Sequence, residues 1–379
     1  MKILLVNWQD VRNPAAGGAE IHLFALFSRL AARGHEVRLV CGGFPGGASE
    51  ERVEGIQVLR VGGRWSFALR AWSAIRRAIA EDPPDVVVED VNKLPLFTPW
   101  LTHRPLCVLV PHLFGDTAFQ GASWPIAAAV WLAERPIPRV YRRAAFHVIS
   151  ESTRDDLIGR GIPASRIVVI HPGVDAGEYF PDPALDRSPA PSFLFVGRLK
   201  RYKGADLAIR ALALARETRK DLTLHVAGTG EELDALHMLA RSLGVGDAVS
   251  FPGAITEAEK IQLFRTVWGH LLPSAKEGWG MTVIEAAACG TPSIASDSPG
   301  LRDSVRHGVT GVLVPHGDVE ALAREMLGLA TDRSRVDRWG EAARVHAESL
   351  SWDAAADQTE AHLAGLVAPR GSPSHPREL

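Results

Sequence analysis

Short apolar runs alternate with longer amphipathic segments along almost the whole chain, and few folds accept that rhythm. Ile3–Val6 is followed by an amphipathic stretch at 19–33, then come Val37–Cys41, 66–81, Asp85–Glu89, Leu106–Val110, 125–143 and His147–Ser150. Strands of four to six apolar residues separated by helix-length segments predict a parallel sheet covered on both faces. Around 176–191 the pattern dissolves into Pro, Asp and Gly, as a linker does. The rhythm restarts at Phe193–Val196 and runs through Leu222–Ala227, Val249–Phe251, 269–272 and Ser293–Ala295, each followed by a helical segment. The expected fold class is α/β, with two doubly wound, Rossmann-like parallel-sheet domains. The expected boundaries are 1–175 for the first domain, 176–191 for the linker and 192–350 for the second domain. A C-terminal helix at 351–367 should return toward the first domain, and a Pro- and Ser-rich tail at 368–379 should be disordered.

A chain of 379 residues with 46% hydrophobic and 23% charged residues has enough apolar content for two such cores. No stretch of eighteen apolar residues occurs. The three cysteines (Cys41, Cys107, Cys289) lie far apart and form no CxxC pattern, which argues against both a disulfide framework and a zinc site and points to a reducing cytoplasm. Net charge is −2, with a mildly basic first half, too little for nucleic-acid binding.

Three clusters can carry chemistry. Gly17-Gly18-Ala19-Glu20 follows the first strand and opens the first helix, where paired glycines let a backbone approach a phosphate at a helix N-terminus. Gly197-Arg198-Leu199 with Tyr202-Lys203-Gly204 follows the first strand of the second half, and its guanidinium and ammonium can neutralise a diphosphate. Pro273–Glu285 holds two carboxylates, Glu277 in a glycine-rich turn and Glu285 in the helix that follows, spaced to reach hydroxyls on either side of a diphosphate. Glu285 lies in an alanine-rich apolar helix and needs a partner if buried.

In this order, and with Gly290-Thr291-Pro292 and the stretch from Ser296-Asp297-Ser298-Pro299-Gly300 to Gly308-Val309-Thr310-Gly311, these motifs resemble glycosyltransferase family 4 of the GT-B fold over residues 1–367. The resemblance implies two Rossmann-like domains facing across a cleft that binds a nucleotide diphosphate sugar, UDP- or GDP-linked, and transfer of a hexose with retention to a glycan, lipid-linked or small-molecule hydroxyl. Gly17 and Gly18 would meet donor phosphates, and Arg198 and Lys203 would bind the diphosphate. Glu277 would hold sugar hydroxyls, the amides of Gly278, Trp279 and Gly280 would support sugar and phosphate, and Glu285 would bind the ribose. His112, after the strand Leu106–Val110, resembles the family's substrate-positioning histidine, although the Asp that often follows it is missing. A Phe commonly stands where this chain has Trp279, a departure expected to alter the sugar pocket. Ser150-Glu151-Ser152-Thr153 resembles a cleft-facing segment.

No D-x-D occurs anywhere in the sequence, so the transfer is expected to need neither a metal nor any other cofactor. Two segments, 64–79 and Trp124 to Arg143, combine aromatic residues with arginines and could rest on the inner face of an anionic membrane. In the first, the spacing of Trp65, Leu69, Trp72 and Ile79 equally suits the buried stripe of a helix. The alternatives are a nucleotide-sugar epimerase or a phosphorylase on the same fold, or a non-catalytic sugar-nucleotide binder. A nicotinamide dehydrogenase is disfavoured because Gly228-Thr229-Gly230 lacks the third glycine of the dinucleotide fingerprint.

Overall fold

The structure is a computed structural model that describes residues 1–63, 66–117, 119 and 124–368. Two sheets carry it. The first has the order β3-β4-β2-β1-β5-β6-β7-β8 and comprises β1 Lys2–Val6, β2 Glu36–Cys41, β3 Glu50–Val53, β4 Ile56–Arg60, β5 Val86–Asp90, β6 Leu106–Val110, β7 Ala145–Val148 and β8 Ile167–Val169. All its neighbours pair in parallel except the β3/β4 hairpin. The second sheet is wholly parallel, in the order β11-β10-β9-β12-β13-β14, with β9 Ser192–Val196, β10 Thr223–Ala227, β11 Val249–Gly253, β12 Gly269–Leu272, β13 Ser293–Ser296 and β14 Gly311–Val314. The central strands are apolar on both faces because helices cover both. Ile3, Leu4, Leu5 and Val6 are essentially inaccessible to solvent, as are Phe193, Leu194 and Phe195.

Several elements differ from the sequence expectation. The hairpin β3/β4 turns at Glu54-Gly55, both with positive φ, inside a stretch whose period-two pattern is too short to stand out. The helical stretch expected at 125–143 is two helices, Trp124–Glu134 and Ile137–Val140, because Pro136 and Pro138 each remove a backbone donor. In the helix Phe67–Glu81 the buried stripe is Phe67, Ala71, Ile75 and Ala78, whereas Leu69 is 85% exposed. Trp72 is half-buried at the margin, donates from Nε1 to the Leu96 carbonyl (2.9 Å) and meets Trp100 edge-on. Arg64 and Trp65 lie outside the described residues, as does all of the expected disordered tail beyond residue 368. No helix among the described residues is long and apolar enough to cross a membrane.

The last helix, Trp352–Val367, starts on a Ser351 cap whose Oγ accepts from the Ala354 amide, and it lies along the first helix, Gly18–Ala32. Arg29 pairs with Asp353, Arg33 with Asp357 and Glu360, and Trp352 packs against His22. Gly173 makes the crossing possible, since a Cβ there would collide with the backbone of Ser351 and Trp352.

His22 sits beneath this contact, wholly buried beside His147 with neither ring nitrogen hydrogen-bonded among the described residues. Burial lowers its pKa to about 4, and that of His270, buried within β12, to about 3. Both are therefore neutral in the folded chain, while the unfolded chain protonates them near pH 6.5. Between those values the unfolded state binds more protons, so the stability present above pH 6.5 is lost as pH falls, by up to about 1.4 kcal/mol per pH unit for each histidine. Thermal melts from pH 7 to pH 4 should show a falling midpoint, with a shallower fall in His22→Phe; an unchanged slope in that variant would remove His22 from the effect.

Candidate functional site

The site forms where the carboxyl ends of the two parallel sheets face each other, the place where doubly wound folds bind ligands. From the first sheet, the turn after β1 ends at Gly17, the N-cap of the first helix, and the Gly17 amide donates to Glu20 Oε2 (2.7 Å). From the second sheet, Arg198 follows β9, and its Nη2 would lie 3.1 Å from any Cβ added at Gly17. Gly18 faces Met281, the first residue of the helix Met281–Ala288, at 4.0 Å on the same measure. The two glycines thus leave the N-terminus of the first helix open beside the opposite domain's guanidinium, and a Cβ at Gly17 would crowd the tip of that side chain.

Lys203 and Glu277 are brought together. The Lys203 ammonium donates to both Glu277 oxygens, at 2.6 and 2.8 Å, and both side chains are largely buried. Arg198, in contrast, is exposed and has no ion-pair partner among the described residues. Lys276 reaches across and donates to the Leu113 carbonyl (2.6 Å), and Gly278 rests against Pro111, with the Pro111 oxygen 2.9 Å from where a Cβ would be. Ser152 donates its amide to Asp303 (3.0 Å), and Thr153 donates to the Pro111 carbonyl (3.0 Å). The Ser150–Thr153 segment therefore does meet the other domain.

His112 lies between these contacts. Burial first, then the Lys276 ammonium, lower its pKa to about 4 against the opposing pull of Glu277, so it is neutral near pH 7 and can donate or accept one hydrogen bond. Glu285, in the helix Met281–Ala288, finds the partner its surroundings require, the Lys260 ammonium at 2.9 Å. Burial nevertheless raises the Glu285 pKa against the pull of Lys260, because a carboxylate there is poorly hydrated. Trp279 is 3% exposed and stacks on His171, with ring centroids 4.5 Å apart, inside the second core. The indole therefore packs into the interior, and its Nε1–H has no hydrogen-bond partner among the described residues.

The roles of three features were not legible in the sequence, although the first two segments stood out in it. Ser298-Pro299-Gly300 is the cradle of the Glu277 turn: Pro299 accepts from the Glu277 amide (3.2 Å), Ser298 donates to the Ser274 carbonyl (3.0 Å), and Gly300 at φ +81° leaves no room for a Cβ against the Glu277 carbonyl. Gly228 and Gly230 likewise sit against the backbone of Gly197 and Leu199, which explains a glycine pair that resembles a dinucleotide motif but supports the Arg198 loop. On the other side of the cleft, Asp90 ends β5 with neither oxygen hydrogen-bonded among the described residues, next to Glu20, which accepts from Asn92 Nδ2 (3.1 Å). Burial, then the Glu20 charge, push the Asp90 pKa well up. The signal available in sequence was the polar Glu89-Asp90 closing an apolar strand.

Residues 182–346 match the family described as glycosyl transferases group 1, and residues 16–178 match glycosyltransferase family 4. Among relatives, a D-inositol 3-phosphate glycosyltransferase of Streptomyces bingchenggensis is 34% identical over 230 residues, 55% of this chain and 50% of that protein. A glycogen synthase of Mycobacterium tuberculosis is 29% identical over 95% of this chain and 93% of its own length. The chain thus spans about half the length of the first of these relatives and nearly all of the second. Among solved structures, sucrose-phosphate synthase from Thermosynechococcus elongatus superimposes with a TM-score of 0.81 at 23% identity, covering 96% of this chain and 98% of the other. Anabaena HepE, solved in complex with UDP-glucose, superimposes at 0.76 and 20% identity over 96% and 100%. At these identities the superpositions establish the fold, GT-B.

The cradle under Glu277 is testable by itself. Gly300→Ala meets the Glu277 carbonyl and should lower unfolding stability by roughly 2 kcal/mol or more in denaturant titration. Gly308→Ala, at φ +75° but with open space around it, should lose only about 1 kcal/mol for the left-handed backbone. Equal losses in the two variants would mean that Gly300 is not what holds the turn.

Proposed function

Because the chain belongs to the family 4 glycosyltransferases and has the GT-B fold, we propose that it transfers a hexose, with retention, from a UDP- or GDP-linked donor held between the two sheets to a hydroxyl of a glycan, lipid-linked or small-molecule acceptor. The observation that carries this reading is the convergence at one cleft of an exposed, unpaired Arg198, the Lys203–Glu277 pair and two glycine-rich helix N-termini. The relatives act on acceptors as different as an inositol phosphate and glycogen by their names, and HepE was solved with UDP-glucose, so donor class has more support than acceptor.

In this reading the bond from the sugar C1 to the donor phosphate oxygen breaks, and the negative charge gathering on the departing diphosphate is met by Arg198, Lys203 and the amides at the start of the helix Met281–Ala288. The acceptor oxygen bonds to C1 from the same face, and its proton passes to the leaving phosphate oxygen. Glu277, held by Lys203, accepts hydrogen bonds from sugar hydroxyls, and neutral His112 positions the sugar without adding charge. Glu285 accepts from ribose hydroxyls, exchanging part of its contact with Lys260. The cations of the chain supply the charge, so no metal is required. The three buried free cysteines fit a reducing cytoplasm as the place of reaction.

A thermal-shift screen with UDP, GDP, ADP, dTDP and their sugars, with and without EDTA, tests this reading, because a ligand that binds the folded state raises its melting temperature. A selective shift that EDTA leaves unchanged is expected; no shift with any of them would favour a non-catalytic protein, and turnover of a nucleotide sugar without acceptor would favour an epimerase. Glu285→Ala should weaken nucleotide binding about tenfold, whereas Glu277→Ala should mainly lower turnover, by about 10²-fold. Negligible effects of both on binding and hydrolysis would overturn the assignment.

A further inference from the structure

The amino ends of β6, β7 and β8, on the edge of the first sheet opposite the cleft, frame an open groove of about 1050 Å³. Arg104, Arg139, Arg142, Arg143 and Arg166 line it together with His362 of the last helix, and among the described residues no Asp or Glu does. All five arginines are exposed, and none has an ion-pair partner among the described residues. Elsewhere on the surface arginines are commonly matched: Arg33 with Asp357 and Glu360, Arg160 with Asp156 and Glu134, Arg335 with Glu325, Arg344 with Glu348. His362 adds a second observation, because its Nε2 is buried and has no hydrogen-bond partner among the described residues.

Five guanidiniums converging on one concavity repel one another, and a folded chain of net charge −2 has carboxylates enough to match them. We propose that this groove is a second binding site, separate from the donor cleft, for a ligand bearing two or more phosphate groups. A guanidinium presents a planar fork of N–H donors that fits phosphate oxygens two at a time, so several of them around one hollow select clustered phosphates over a single carboxylate. The phosphates could belong to a soluble oligophosphate or to lipid headgroups. Trp100, which lines the same groove, is exposed, an apolar surface that a bilayer would cover and a soluble anion would not.

The experiment titrates the full chain with inorganic tripolyphosphate and, separately, with vesicles of phosphatidylcholine containing or lacking phosphatidylglycerol. The same titrations on the triple variant Arg139→Gln/Arg142→Gln/Arg143→Gln leave the donor cleft intact, so the difference isolates the groove. Binding of either probe should weaken at least tenfold in the variant, and the wild-type affinity should fall steeply with added salt. Loss with tripolyphosphate assigns the soluble source, and loss confined to phosphatidylglycerol vesicles assigns the lipid. Melting temperature without probe should not fall, since these side chains make no structural ion pair; if it does, Arg104→Gln/Arg166→Gln on the facing wall gives the same comparison. Equal binding of both probes by wild type and variants, or no binding by the wild type, overturns the proposal.

Discussion

Backbone approaching backbone without an intervening side chain is the constraint on which this cleft depends. Gly228 and Gly230 let their strand end lie against the Arg198 loop, Gly278 lets the Glu277 turn meet Pro111, and Gly300 lets the segment Ser298–Gly300 lie under that turn. Each contact crosses between elements distant in sequence, and in each the missing Cβ is the enabling feature. The side chains that would do chemistry are thus held by loops whose positions are set by close packing of main chain, a stiffer support than surface side chains could give.

Electrostatics follow from that packing. Glu277 is matched by Lys203 and Glu285 by Lys260, whereas Arg198, beside Gly17, has no ion-pair partner among the described residues. A guanidinium beside two helix N-termini is an arrangement that awaits an anion. His112 remains neutral among these charges because burial and Lys276 together disfavour its protonation. Across from them Asp90 is buried with neither oxygen hydrogen-bonded among the described residues.

Most of the architecture was legible in the sequence because parallel strands buried on both faces read as bare apolar runs, and Ile3–Val6 and Phe193–Val196 needed nothing further. The β3/β4 hairpin was not legible, since its strands are short and its turn depends on a Glu at positive φ. The stripe on the helix Phe67–Glu81 was misread because its large residues sit at the margin and small ones, Ala71 and Ala78, face the core. For the site, residue types and order pointed to Arg198, Lys203, Glu277 and Glu285, but not to their pairing, which depends on how two separately folded sheets meet. The partner of Glu285 lies in another helix, at Lys260, and the stack of Trp279 on His171 crosses from one motif to a segment with no motif at all.

In the proposed reaction Arg198, beside Gly17, binds the diphosphate of the donor. Calorimetric titration of wild type and Arg198→Gln with a nucleoside diphosphate and with the matching monophosphate measures that contact directly. The expected result is at least tenfold weaker binding of the diphosphate in the variant, with monophosphate affinity nearly unchanged, since only the diphosphate extends to the guanidinium. Equal affinities of the two proteins for the diphosphate would contradict it.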